Sequence, residues 1–347
     1  MRIKLNWFLY MSSWANRHIP QRRDISQIPE PFRPVIVPRV ERPEVVLSES
    51  FQGKENEVVY PESDWKLPAF SGYSKSDYSK SDYSKGAFST KGDYFTKRTP
   101  AIELIHNEKT YVFVILRNIQ KTSDNDLWLA CYHSIRQFYT NQIIIIDDNS
   151  SVNTVNGKLV NTEIIQSEFN GAGEILPYYY FNKEKWADTM IFMHDSMVLH
   201  RLFTDNELDH EVVFHWHFKE NNEVVTKKTL SLLASITKSK EIEDYAKSKT
   251  WIGAFGCSGI IDYTVVSMLE EKYKISKLVT VIRTRKQREL VERILGILLS
   301  FEKKVVSNFG DILNYPYKFE ANNLQTSLYN ISQVNYNTAI VKLWRGR

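Results

Sequence analysis

The sequence predicts an α/β fold, an open mixed sheet flanked by helices, preceded by a long Pro/Ser/Tyr-rich extended arm. Three observations carry this expectation. Proline is crowded into the first hundred residues, with nine of eleven at positions 20 to 100. From about residue 105, continuous apolar β-branched runs alternate with segments of helical period. The later chain also places short acidic motifs directly after such runs, where an open α/β sheet keeps its ligand crevice.

The arm is taken as residues 1–104 and the folded domain as 105–347. Proline removes an amide donor and disfavours the helical conformation of its predecessor, so the arm builds neither long helices nor central strands. Within it, Tyr73-Ser74-Lys75-Ser76-Asp77, Tyr78-Ser79-Lys80-Ser81-Asp82 and Tyr83-Ser84-Lys85 repeat every five residues. A period of five puts no apolar stripe on a helix or strand. Two readings stand, a flexible low-complexity segment or an extended arm whose tyrosines dock on a protein partner.

In the domain, Tyr111–Leu116 reads as a buried parallel strand. Asp124 or Asp126 caps a helix over Leu127–Tyr139, with Leu127, Ala130, Cys131, Ser134, Ile135 and Phe138 on one face. Ile143–Ile146 is the second strand, completing a right-handed βαβ unit. Glu163–Gln166 reads as a third strand, Glu174–Asn182 as a helix and Thr189–Met193 as a fourth strand. Later helices fall at Tyr263–Tyr273 and Arg285–Phe301.

Lys+Arg total 45 against Asp+Glu 41, a net charge of +4, which without a clustered basic patch gives no nucleic-acid partner. No apolar run nears the roughly 20 residues that span a bilayer, and the apolar patch after Met1 is too short for a signal peptide. Cys131 and Cys257 sit in apolar stretches and read as reduced core thiols. A cytoplasmic location follows as the expectation.

The chemistry is expected at the strand ends. Asp147-Asp148-Asn149-Ser150 follows the second strand, where the aspartates can accept hydrogen bonds from a ribose or base; a plain polar turn is the rival reading. Met193-His194-Asp195-Ser196-Met197 follows the fourth, where Asp195 with His194 is a candidate holder of Mn²⁺ or Mg²⁺; a structural His194–Asp195 pair is its rival. Gly171-Ala172-Gly173-Glu174 matches no dinucleotide or phosphate-loop fingerprint. Its glycines either let backbone approach a ligand or make a helix-entry turn.

Together these motifs resemble the GT-A-fold glycosyltransferases, over roughly 112–311. Asn170–Phe181 further resembles a segment of uncharacterised glycosyltransferase-like proteins of large DNA viruses. The resemblance implies a GT-A-like nucleotide-sugar-binding domain acting as a metal-dependent hexosyl- or pentosyltransferase. It would move a sugar from a UDP- or GDP-sugar to an unknown acceptor, in a host cytoplasm or a virion if the chain is viral. Arg117, Asp147, Asp148, Asn149, Ser150, Gly171, Gly173 and Glu174 would then bind the sugar nucleotide. His194-Asp195-Ser196 departs from the family pattern of two aspartates flanking a variable residue, with His194 at the first position if Asp195 is the central acid.

Several features stay open between roles. Trp251–Gly259 holds three glycines and two aromatics, as in an acceptor-side loop or a tight core crossover. Arg283, Arg285, Lys286, Arg288 and Arg293 are a solvated face or a diphosphate clamp. His215-Trp216-His217, read as a strand, is a structural pair or part of a metal shell. Asp311, Glu292 and Asp262 are unranked candidates for the base that deprotonates an acceptor hydroxyl. The alternative to an enzyme is a structural or assembly protein, such as a virion component, on a degraded GT-A fold.

Overall fold

The structure is a computed structural model that describes residues 100–152, 158–316, 319–332 and 338–344. The proline-rich segment and the tyrosine repeat lie outside the described residues. The described chain is anchored from Ile102, whose amide bonds the Phe138 carbonyl, and from Leu104, held by the Asn141 side chain.

In chain order the strands are β1 (Ile105–His106), β2 (Lys109–Arg117), β3 (Ile143–Asp147), β4 (Thr162–Gln166), β5 (Thr189–His194), β6 (Met197–Leu199), β7 (Val212–Phe214), β8 (His217–Phe218), β9 (Gly253–Ala254), β10 (Gly259–Asp262), β11 (Val306–Ser307), β12 (Phe319–Glu320) and β13 (Ile340–Trp344). The helices are α1 (Asn125–Phe138), α2 (Leu176–Glu184), α3 (Asp205–Leu208), α4 (Glu223–Leu233), α5 (Lys240–Ser248), α6 (Tyr263–Tyr273), α7 (Leu278–Val281), α8 (Arg285–Glu302) and α9 (Leu324–Ser332).

The main sheet runs β11-β7-β10-β5-β2-β3-β4, with β1 folded back on β2. Strands β5, β2, β3 and β4 are mutually parallel, and β10 runs against both β5 and β7. It is therefore an open mixed α/β sheet flanked by helices. Among the described residues, no helix is long and apolar enough to cross a membrane.

The apolar strand runs are explained by burial on both faces. Alternate residues of β2 and β3 enter different cores: Val112, Val114, Leu116, Ile144 and Ile146 meet α2, α6 and α8, whereas Phe113, Ile115, Ile143 and Ile145 meet α1. Helix α1 begins at Asn125, two residues before the expected start, with Asp124 at the N-cap position. It is apolar on more than one face because it is sandwiched. Trp128, Cys131 and Ile135 pack on the sheet, while Leu127 and Ala130 pack on β6, β13 and α9. The helix expected from Glu174 opens instead as a 3₁₀ turn at Gly173–Ile175 and becomes α-helical at Leu176, with Pro177 in the first turn where no amide is lost. Cys131 and Cys257 are buried free thiols.

The segment His215-Trp216-His217 is not one strand, because only His217 is in strand conformation, as the first residue of β8. It links β7 to β8, and His215 is buried between the rings of Phe203 and Phe309, with centroids 6.4 and 5.8 Å away. Burial lowers its pKa to about 3, so the ring is neutral and sits in an aromatic stack.

Helix α8 fixes the floor of the later site because it lies against β9 with no side chain between. A Cβ on Gly296 would fall on the Ile252 carbonyl and 2.8 Å from the Gly253 Cα. Gly296→Ala should therefore destabilise the domain by about 1–3 kcal/mol through overpacking, against the roughly 1 kcal/mol that helix propensity alone would return. Urea unfolding of the two chains reads the sign directly.

Candidate functional site

Four parallel strands end on one edge, within one residue of a common register row. Arg117 of β2 lies beside Asp147 of β3, Asp147 beside Gln166 of β4, and Leu116 beside His194 of β5. Strand β2 also anchors both motif turns, since its Arg117 carbonyl accepts the Asp148 amide and its Leu116 carbonyl accepts the Asp195 amide, at 2.9 and 3.0 Å.

Asp147 has a structural partner. Its carboxylate takes the Arg117 guanidinium at 2.6 Å, the Ser150 amide at 2.8 Å and the Gln166 amide nitrogen at 3.3 Å, with no exposed surface. The Arg117 guanidinium also lies 4.8 Å from the centroid of the Trp128 ring. This pair, expected on the ligand, is spent on closing the strand end. Ser150 is likewise occupied, accepting the Ile119 amide at 2.8 Å, and Asn149 takes a left-handed turn conformation with φ 61°.

Asp148 reaches the other way. Its two oxygens accept the Gly171 amide at 2.6 Å and the Gly173 amide at 3.0 Å. Both glycines have positive φ, 81° and 59°, a region that carries a steric cost for residues with a Cβ. Burial raises the Asp148 pKa, opposed by the two amides and by Arg288.

The loop so held presents Glu174, whose carboxylate pairs with Arg288 of α8 at 3.2 Å. A Cβ on Gly173 would fall on the Arg288 side chain, so the arginine stem occupies the space the glycine leaves. Burial raises the Glu174 pKa, with Arg288 and Lys342 opposing. Three other cations of this stretch turn elsewhere. Arg293 pairs with buried Glu220 at 2.5 Å, Arg285 with Glu289 at 3.4 Å, and Arg283 donates to the Val279 and Ile282 carbonyls. Of the two readings left open for this stretch, a clamp would rest on Arg288, the cation that meets the glycine loop.

Across the site stands Phe255-Gly256-Cys257, a 3₁₀ turn between β9 and β10. His194 Nε2 lies 2.7 Å from the Gly256 carbonyl, and a Cβ on Gly256 would come 2.5 Å from that nitrogen. Burial first, and then Lys342, lowers the His194 pKa to about 4, so the ring is neutral near pH 7. Glu292 of α8 approaches the same turn. Burial and the neighbouring Glu174 push its pKa up to about 8, opposed by Arg293 and by the Gly256 amide.

The three base candidates separate. Glu292 belongs to this cluster. Asp311 follows β11 and bridges to His217, next to β9 on the same edge, and caps a 3₁₀ turn by accepting the Leu313 amide at 2.9 Å. Asp262 is excluded from the site. Because β10 is antiparallel to β5, Asp262 pairs with Thr189 at the opposite end of the sheet, where it holds Lys109 at 2.6 Å and the Thr189 hydroxyl at 2.7 Å.

One site residue escaped the sequence reading. Lys342 of β13 donates to the Ser196 hydroxyl at 2.7 Å, directly beside Asp195. Strand β13 reaches the motif turn because it pairs antiparallel with β6, with Lys342 opposite Met197. A lone lysine in an apolar strand is a signal, but only the pairing of β13 with β6 gives it a location.

Removing the Asp148 carboxylate should release the loop. Asp148→Ala leaves two amides without their acceptor, a loss of about 1–3 kcal/mol for each group left buried. Hydrogen exchange should accelerate at the Gly171 and Gly173 amides more than in β2 or β3, which peptide-resolved exchange measures.

No protein-family model matches the chain, and no curated protein matches it. Among solved structures it is similar to S. aureus TarS 1–349, at 12% identity and TM-score 0.30, covering 54% of this chain and 55% of that one. The same fragment in complex with UDP matches at 12% identity and TM-score 0.30, over 65% of each chain. The complex with UDP-GlcNAc matches at 12% identity and TM-score 0.27, over 54% of this chain and 53% of that one. The chain thus spans between about half and two thirds of these fragments, and at such scores the likeness assigns it neither activity nor substrate.

Proposed function

We propose that this domain binds a nucleoside diphosphate sugar, UDP- or GDP-linked, along the edge formed by the ends of β2, β3 and β5, and transfers the sugar to an acceptor hydroxyl. The observation that carries the reading is the meeting of distant polar groups on that edge. The Asp148-held glycine loop, the His194-Asp195 turn and Glu292 surround the Gly256 turn, next to two cations, Arg288 and Lys342.

Each group has a chemical task in such a transfer. The loop Gly171–Glu174 offers close backbone approach, and Arg288 and Lys342 offer positive charge to a diphosphate. Neutral His194 can hydrogen-bond without adding charge. An acceptor hydroxyl must lose its proton as the new glycosidic bond forms, and a base works best with a pKa near the operating pH. Glu292, raised to about 8, meets that condition. Asp311 on the same edge is the second candidate.

The Mn²⁺ or Mg²⁺ implied by the resemblance fits this donor set poorly. The motif turn offers one carboxylate, Asp195, while the His194 Nε2 is engaged with the Gly256 carbonyl and an ammonium sits on Ser196. Among the described residues, no three His, Cys, Asp or Glu side chains converge on one point.

The test is calorimetric titration of UDP, GDP and their sugars into the full chain, followed by a transfer assay with the sugar that binds. Binding to at least one nucleotide is expected. Absence of binding to all of them by folded protein overturns the enzyme reading and leaves a structural or assembly protein.

Glu292→Gln should keep donor binding within about twofold and lower turnover by roughly 10²–10⁴-fold, the range for loss of a general base. The wild-type rate should rise with pH through about 8 as Glu292 ionises, and the variant should lose that limb. Stability has the opposite sign. A carboxyl whose folded pKa is raised binds more protons folded than unfolded, so its contribution is full below the ordinary carboxylate range and falls as pH rises towards 8. Unfolding midpoints of wild type and variant across that window check it.

A further inference from the structure

We propose that the positive charge facing the donor diphosphate is carried by the chain itself, through Lys342 of β13 and Arg288 of α8, so that the nucleotide binds without a divalent metal. The inference deepens the donor-binding reading above and rests on it.

The geometry of β13 is the main support. Its side chains alternate. Val341 and Leu343 face the small core shared with α1 and α9, so Lys342 and Trp344 project from the opposite face. On that face Lys342 sits on Ser196 at 2.7 Å, and Trp344 packs by Phe255, with ring centroids 6.0 Å apart. The strand thus runs along the site from the His194-Asp195-Ser196 turn to the Phe255-Gly256 turn. It is held in place by its ladder to β6 and by the Leu343 amide on the Ser196 carbonyl at 2.8 Å.

Arg288 closes the other flank. It is fixed against Gly173 and Glu174 on the glycine loop, and its charge reaches both Asp148 and His194. Lys342 also acts electrostatically on both His194 and Glu174. Two cations therefore act on His194 and Glu174, beside which this reading seats the diphosphate. A lysine binds phosphate as a point charge, and arginine as a planar fork. Together they bring two cations to that position, one of them, Arg288, shared with the Glu174 carboxylate. An ion on Asp195 would have to share that position with the Lys342 ammonium.

The experiment is calorimetric titration of UDP and GDP into the full chain, in EDTA and again in MnCl₂, for wild type, Lys342→Gln and Ser196→Ala. The expected result is wild-type binding in EDTA, changed less than about threefold by Mn²⁺. A lost charge-assisted contact should weaken binding by about tenfold or more in Lys342→Gln, and by less in Ser196→Ala, where the cation persists without its hydroxyl tether. An unfolding midpoint for each variant shows that the domain is intact. If Lys342→Gln does not fold, the EDTA titration of wild type together with Ser196→Ala decides the matter.

Binding that vanishes in EDTA and returns with Mn²⁺ overturns this inference while leaving the donor-binding reading intact. Wild-type affinity in folded Lys342→Gln also overturns it. Failure of UDP and GDP to bind folded wild type in either condition overturns both.

Discussion

The site depends on the two oxygens of Asp148. Each takes one glycine amide, and those amides belong to residues whose positive φ leaves the loop few alternatives. Because Asp148 follows the last residue of β3, the sheet fixes the carboxylate and the carboxylate fixes the loop. Glu174, and through it Arg288, take their positions from that pair of hydrogen bonds. Asp147, one residue earlier, does the complementary work. Buried against Arg117, it keeps the ends of β2 and β3 in register, and removing either partner would strand a buried charge. Adjacent acids thus serve the strand end and the loop.

The charges around Gly256 make a coupled set. Asp148, Glu174 and Glu292 all have raised pKa values, with burial as the largest cause. Burial lowers His194, and Lys342 lowers it further. Each perturbation disfavours a charge in a poorly solvated space, and Arg288 and Lys342 moderate those of Glu174. Such an arrangement favours the protonated carboxyl over the carboxylate in all three. Asp262 lies outside this set, held by Lys109 and Thr189 at the far end of the sheet.

Much of this was legible in the sequence because strand ends are local features. The apolar runs of β2 and β3, and the acids immediately following β3 and β5, need only the period of a strand and the rule that ligands gather at its carboxyl end. Direction was not legible. Asp262 also follows an apolar run, but β10 is antiparallel to β5, so its end lies at the opposite edge. Nor could the arginines be sorted. Arg288 and Arg293 share α8, but five residues of helix separate their directions by roughly 140°, and only the neighbours Glu174 and Glu220 show which enters the site. Lys342 needed the pairing of β13 with β6, a contact between segments that sequence pattern does not connect. The single-strand reading of His215-Trp216-His217 misled because a β-branched and aromatic run continues past the end of β7 at Phe214, and β8 begins only at His217.

The separations within the site also differ in the chain entropy that closing them costs. Arg117 and Asp147 are 30 residues apart and Asp148 and Gly173 are 25, whereas Lys342 and Ser196 are 146 apart. Closing short loops costs less entropy than closing long ones, so the acidic edge can form around β2 and β3 before β13 docks. Until it does, the motif turn has its acid but lacks the Lys342 ammonium. Docking of the last strand then delivers a cation to that turn as well as completing the packing.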